Sequence, residues 1–135
     1  MISFLAVMLM AAPKHTIVFM CPHGGAKSVI AASYFNQLAA AESLSCEAVA
    51  VAGEDPYDAV PENVREFLAR EGFDVASFKP RCFTSSDLES AIKVISIDCE
   101  IGDERWDDVP KVSEDLPGSA AAIRKHVQAL VDELK

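Results

Sequence analysis

Five apolar residues, Thr16 to Met20 (TIVFM), run straight into Cys21-Pro22-His23-Gly24-Gly25, and that junction limits the folds open to the chain. A β-rich apolar run bounded by Pro and Gly predicts a strand buried on both faces. A helical pattern follows from Ser28, with Ala31, Phe35 and Leu38 on one face and Ala-rich filling through Glu42. The strand, tight turn and helix together predict a βαβ unit, and so a parallel sheet.

The remaining pattern repeats that alternation. Glu47–Ala52 (EAVAVA) predicts a second strand, closed by a turn at Gly53-Glu54-Asp55-Pro56. Pro61 and Glu62 open a helix whose Val64, Phe67 and Leu68 share a face, and Gly72 ends it. Phe73–Phe83 reads as a loop, Thr84–Ala91 as a short helix and Lys93–Ile97 as a third strand. Ile123, Val127, Leu130 and Leu134 mark an amphipathic last helix. The expected architecture is α/β, a parallel sheet covered on both faces, with ligands bound beyond the carboxyl ends of its strands. Both Cys21 and Cys99 fall at such ends.

With 135 residues, half of them apolar, the chain suits one domain with a proper core. We expect that domain to span residues 14–135, preceded by an apolar segment, 1–13. Ile2–Ala12 is too short to cross a bilayer and ends in small residues. A cleaved signal, an early start and an added apolar element all fit it. Cytoplasmic residence is expected, export being the alternative. Four cysteines without paired zinc spacing predict neither a disulfide scaffold nor a metal site, and no cofactor is expected.

Acids outnumber bases 21 to 12, a net charge of −9, which excludes general nucleic-acid binding. Eight acids crowd Asp98–Asp115 against Arg105 and Lys111. This stretch reads as a solvated loop, or as one that leans a proton donor over a site.

Cys21-Pro22-His23-Gly24-Gly25-Ala26-Lys27-Ser28 is the segment that can carry chemistry. Successive N–H groups of such a turn form an anion-binding nest, and the following helix start adds unpaired donors and the positive end of its dipole. That environment favours a sulfur in its nucleophilic, ionised form. Lys27 supplies a charge, and the Ser28 hydroxyl can reach the sulfur or cap the helix. A nucleotide-binding loop is excluded, because it needs glycine where Cys21 and Ala26 stand.

This Cys-x5-basic-Ser loop after a strand resembles that of the low-molecular-weight protein tyrosine phosphatase superfamily, and is most similar to the thiol-dependent arsenate reductases. Further matches follow in order: Val51-Ala52-Gly53, Ala69-Arg70-Glu71-Gly72-Phe73-Asp74-Val75 with Pro80 and Thr84, Val94–Cys99, and Trp106-Asp107-Asp108-Val109-Pro110. The resemblance implies a three-layer αβα sandwich with about four parallel strands. It implies Cys21 as nucleophile, residues 22–28 as the oxyanion cradle, Asp108 (rivals Asp107 and Asp115) as general acid, and Cys99 as a resolving thiol. The partners implied are phosphate, arsenate or a phosphorylated substrate, with a thiol reductant in the reductase case.

Departures from the pattern are specific. Lys27 replaces an Arg, giving up a planar fork for a point charge. Gly24 stands in place of a buttressing Asn, Val109 separates the Asp from the Pro, and no third cysteine follows Cys99. Three readings result: an arsenate reductase-like enzyme, a small phosphatase acting on aryl or tyrosyl phosphates, and a non-catalytic oxyanion-binding module.

Overall fold

The computed structural model describes residues 14–135, so the expectations for the N-terminal apolar segment lie outside the described residues. β1 (His15–Cys21), α1 (Lys27–Ala41), β2 (Cys46–Ala52), α2 (Glu62–Arg70), α3 (Ser85–Ser90), β3 (Ala91–Ser96), β4 (Glu104–Arg105) and α4 (Leu116–Leu134) follow in chain order. The sheet runs β2-β1-β3-β4 with every pair parallel. The chain moves from β1 to one neighbour, β2, and then crosses to the other, β3. The order therefore reverses between β1 and β3, where parallel sheets open a crevice at their carboxyl ends.

β1 is buried on both faces, as its composition requires. Ile17, Phe19 and Cys21 join the larger core with α1, α2 and α4; Val18 and Met20 join a smaller one with Val51, Val94 and Cys99. Phe19 is fully buried, its ring 6.0 Å from that of Phe35 and 5.4 Å from that of Trp106. The expected helical cover on both faces is present, but unequal. Leu88 and Phe83 pack on the smaller core, so short α3 and its lead-in close that side.

The acidic stretch differs from expectation. β4 arises within the acidic stretch read as loop, because Trp106 N–H bonds to Ser96 O at 2.8 Å and Lys93 pairs with Glu104 at 3.1 Å. The last helix begins at Leu116, and the Asp115 carboxylate caps it by accepting from Gly118 N–H at 2.9 Å. On the free edge of β2, Asn36 bonds both Ala48 N–H (2.7 Å) and Ala48 O (3.2 Å). That contact blocks pairing with another strand. Among the described residues no helix is long and apolar enough to cross a membrane.

α3 is held by its start. Thr84 and Asp87 form a reciprocal capping box, and Arg81 grips Asp87 through two nitrogens at 2.8 and 3.0 Å. The Arg81 hydrogen bond, offset in part by burial, holds the Asp87 carboxyl down at about 2. A depressed folded value contributes stability above the unfolded pKa, near 4, and loses it as pH falls towards 2. Thr84→Ala should cost about 1 kcal/mol in urea denaturation. Asp87→Asn should cost a similar amount at neutral pH, and its gap from the parent should close on acidification.

Candidate functional site: the Cys21 loop

The loop after β1 is fixed by its carbonyls. Cys21 O accepts from Gly53 N–H at 3.0 Å, Pro22 O from Glu54 N–H at 2.9 Å, and His23 O from Tyr57 N–H at 3.0 Å. Among the described residues, none of the N–H groups of His23, Gly24, Gly25, Ala26 and Lys27 donates to a protein acceptor. Carbonyls bonded outward and free amides form the polarity of an anion nest. Gly24 shows why glycine is needed here: its φ is +65°, and a Cβ would lie 2.8 Å from Ala52 N. An Asn at this position has no room.

Cys21 is buried among the core side chains yet opens on a cavity of about 500 Å³ that it shares with His23, Lys27, Tyr57, Asn63 and Asp98. Its Sγ lies 3.1 Å from Ser28 Oγ and 3.4 Å from Ser28 N, so both groups of that fully buried residue serve the sulfur. The helix start has no side-chain cap of its own. Ser28 is thus spent on the sulfur rather than on the helix.

Lys27 is buried, and its ammonium is held at both ends of a long reach in sequence. It donates to Asp98 Oδ2 at 2.5 Å and to Val109 O at 3.1 Å. Of its three protons, one is without a protein acceptor among the described residues. Asp98 has φ +66°, a conformation that Asp tolerates better than most residues. Sequence reading placed Asp98 only in a run of acids. Its role as the Lys27 partner depends on a contact across 71 positions, for which no local signal exists.

The other predicted residues fall into two groups. His23 lies on the cavity, its Nδ1 2.8 Å from Asp55 O and its ring stacked 4.6 Å from that of Tyr57. Cys99 is buried next door, against Met20 and Gly53, and lines a separate cavity with Asp98. Burial first, then the charge of Cys21, pushes its thiol up to about 11. All four cysteines are free thiols.

Asp107, Asp108 and Asp115 do not line the Cys21 cavity. Asp107 pairs with Arg105 at 3.2 Å, Asp115 caps α4, and Asp108 accepts from the His126 ring at 2.7 Å. Asp98 is the one carboxylate on that cavity among the described residues. A larger cleft of about 630 Å³ lies on the helical face, around Tyr34, Glu71 and Arg124, and holds no cysteine. Among the described residues no three His, Cys, Asp or Glu gather as a metal site.

No family model and no curated protein matches the chain. Solved structures do. A low-molecular-weight protein tyrosine phosphatase from T. tengcongensis superimposes with TM-score 0.78 at 18% identity, covering 90% of this chain and all (100%) of that one. A thioredoxin-dependent arsenate reductase from Corynebacterium glutamicum gives 0.73 at 19%, covering 96% of this chain and 66% of that one. An arsenate reductase from Archaeoglobus fulgidus gives 0.68 at 25% identity, covering 86% and 98%. This chain therefore has the fold of the low-molecular-weight phosphatases and thiol-dependent arsenate reductases, as the Cys21 loop resemblance implied.

Alkylation should separate the sulfurs at about pH 8. A thiol at about 11 holds about a hundredth of the thiolate of one at the ordinary 9.0. Cys99 should therefore be the last of the cysteines to react, read by peptide mapping of iodoacetamide adducts. Gly24→Ala should lower stability by about 2 kcal/mol or more, through its left-handed φ and the clash with Ala52.

Proposed function

We propose that this protein is a thiol-based oxyanion enzyme, with arsenate reduction as its best-supported reaction. The observation that carries the reading is the sulfur of Cys21, set beside Ser28 on a cavity lined by His23, Ala26 and the buried Lys27, in a loop whose amides meet no protein acceptor among the described residues. A tetrahedral oxyanion seated on those amides has its central atom in line with the sulfur. Lys27 adds one charge-assisted donor.

In the first step the Cys21 thiolate attacks arsenic, a sulfur–arsenic bond forms, and one arsenate oxygen leaves as water after protonation. Next Cys99 attacks Cys21 Sγ, its thiol proton passing to an oxygen of the departing arsenic group. The sulfur–arsenic electron pair stays on arsenic, which falls from the +5 to the +3 state and leaves as arsenite. Two cysteines are thereby oxidised to a Cys21–Cys99 disulfide, and an external thiol reductant restores them. Proton delivery by Asp108 requires its loop to leave His126; delivery by Asp98 requires Lys27 to release it. The weak supply of carboxylic acid favours arsenate, whose protonated oxygens leave more readily than an alkoxide.

One observation favours a second reading, hydrolysis of phosphate monoesters. The stacked His23 and Tyr57 rings form a flat wall on the cavity that suits an aryl group, while Cys99 is buried in its neutral form. That route needs Cys21 and an acid, but no second thiol.

The two readings separate on one variant. Cys21→Ser should reduce both arsenate-dependent thiol oxidation and p-nitrophenyl phosphate hydrolysis to background. Cys99→Ser should abolish arsenate turnover and the Cys21–Cys99 disulfide seen by mass spectrometry, leaving any ester hydrolysis within about twofold. Arsenate turnover that survives Cys99→Ser sinks the reductase mechanism. Activity that survives Cys21→Ser sinks both.

A further inference from the structure

The acidic stretch is not loose over the site. Between β4 and α4 the chain forms a strap, Trp106–Val109, fastened at several points. Trp106 is buried, and its Nε1 donates to Glu104 at 2.7 Å. Its indole stacks on the His126 ring of α4, with centroids 4.6 Å apart and planes 12° apart. His126 Nε2 lies 2.7 Å from Asp108 Oδ1. One residue further on, Val109 O receives Lys27 Nζ at 3.1 Å, inside the Cys21 loop.

We propose, on the reading that the Cys21 loop binds an oxyanion, that His126 is a positioning residue for that site: its protonation tightens the strap and so holds Lys27 in place for the anion. An imidazolium donating to the Asp108 carboxylate makes a charge-assisted bond, stronger than that of the neutral ring. The fastened strap keeps Val109 O on two-point-anchored Lys27, leaving its third proton for the anion. Linkage then works both ways: what protonation does for anion binding, anion binding does for protonation.

The charges around His126 are mixed. Asp108 faces it from the strap and Glu104 from β4, and His126 helps to hold both carboxyls below their ordinary range. Lys125, its neighbour on α4, acts on the same Asp108. Lys93 on β3 partly neutralises Glu104 and is shared with Glu133 of α4. At the anion end stand His23 and Cys21, so the test must isolate His126.

Trp106 is the only tryptophan in the chain, which places a fluorophore on the His126 ring itself. A stacked imidazolium quenches indole, so fluorescence reports the His126 titration. Sulfate is the probe, because it stays a dianion between about pH 5 and 8. With saturating sulfate, the midpoint of the Trp106 titration should rise by about 0.7 pH unit. Sulfate affinity by calorimetry should be about fivefold tighter at the acid end, the low end of measured couplings.

His126→Gln keeps a donor to Asp108 but removes the titration, and should lose that part of the pH dependence. Asp108→Asn keeps the histidine and should shrink the sulfate-induced midpoint shift. A midpoint that stays fixed while sulfate binds overturns the proposal and leaves the oxyanion reading standing. Unchanged pH dependence in His126→Gln also overturns it, assigning the effect to His23 or Cys21. If sulfate fails to bind at all, the oxyanion reading and the proposal fall together.

Discussion

Three backbone hydrogen bonds from the segment after β2 to the carbonyls of Cys21, Pro22 and His23 set the polarity of the whole site. A turn cannot point its carbonyls and its amides the same way, so pinning the oxygens outward turns the amides inward. β1 makes this possible by being rigid and buried on both faces, so the turn begins from a fixed point. Gly24 makes it possible from the other side, because any Cβ there would meet Ala52 N and push the two segments apart. The polarity of the loop is therefore a property of the β1–β2 junction rather than of the loop alone.

Lys27 is where this site departs most from a guanidinium design. An Arg offers two parallel N–H groups to two oxygens, whereas an ammonium offers three tetrahedral donors. Here two of the three are used inside the protein, on Asp98 and Val109 O. Burying a cation in a chain of net charge −9 is tolerable because a carboxylate meets it directly. The same contacts tie three segments together: the nucleophile loop, the turn after β3 and the strap before α4. Lys27 thus acts as a structural tie as well as a charge, and on the proposed function its single remaining proton is one donor to the oxyanion in place of a fork.

The parts of this arrangement that were legible in the sequence are those set by local pattern. TIVFM predicts a buried strand because burial on both faces demands a continuous apolar run, and β1 is such a strand. Pro61 and Gly72 bound α2 because one fixes φ for a helix start and the other supplies the positive φ, +93°, that ends it. β4 was not legible, since two charged residues, Glu104 and Arg105, carry no strand pattern; Trp106 and Lys93 place them. The pairs Lys27–Asp98 and His126–Asp108 were equally hidden. Asp98 looked like one of eight acids, and no local pattern tied His126 to Asp108, until the fold brought each to its partner.

Cys21 and Cys99 sit in opposed environments, and the opposition suits the proposed two-thiol reaction. Cys21 has a hydroxyl, an amide and an open cavity at its atom. Cys99 has Val18, Met20, Val51 and Val94 around it, and burial keeps it a neutral thiol. On the proposed reductase route Cys21 meets the oxyanion first, and Cys99 stays a neutral thiol until the second step. Gly53 joins the pair. Its N–H holds Cys21 O, and its missing side chain leaves the space where a Cβ would come within 2.9 Å of Cys99 Sγ. Any side chain at that position would press on the second sulfur while straining the hydrogen bond that fixes the first, so the glycine after β2 serves both thiols at once.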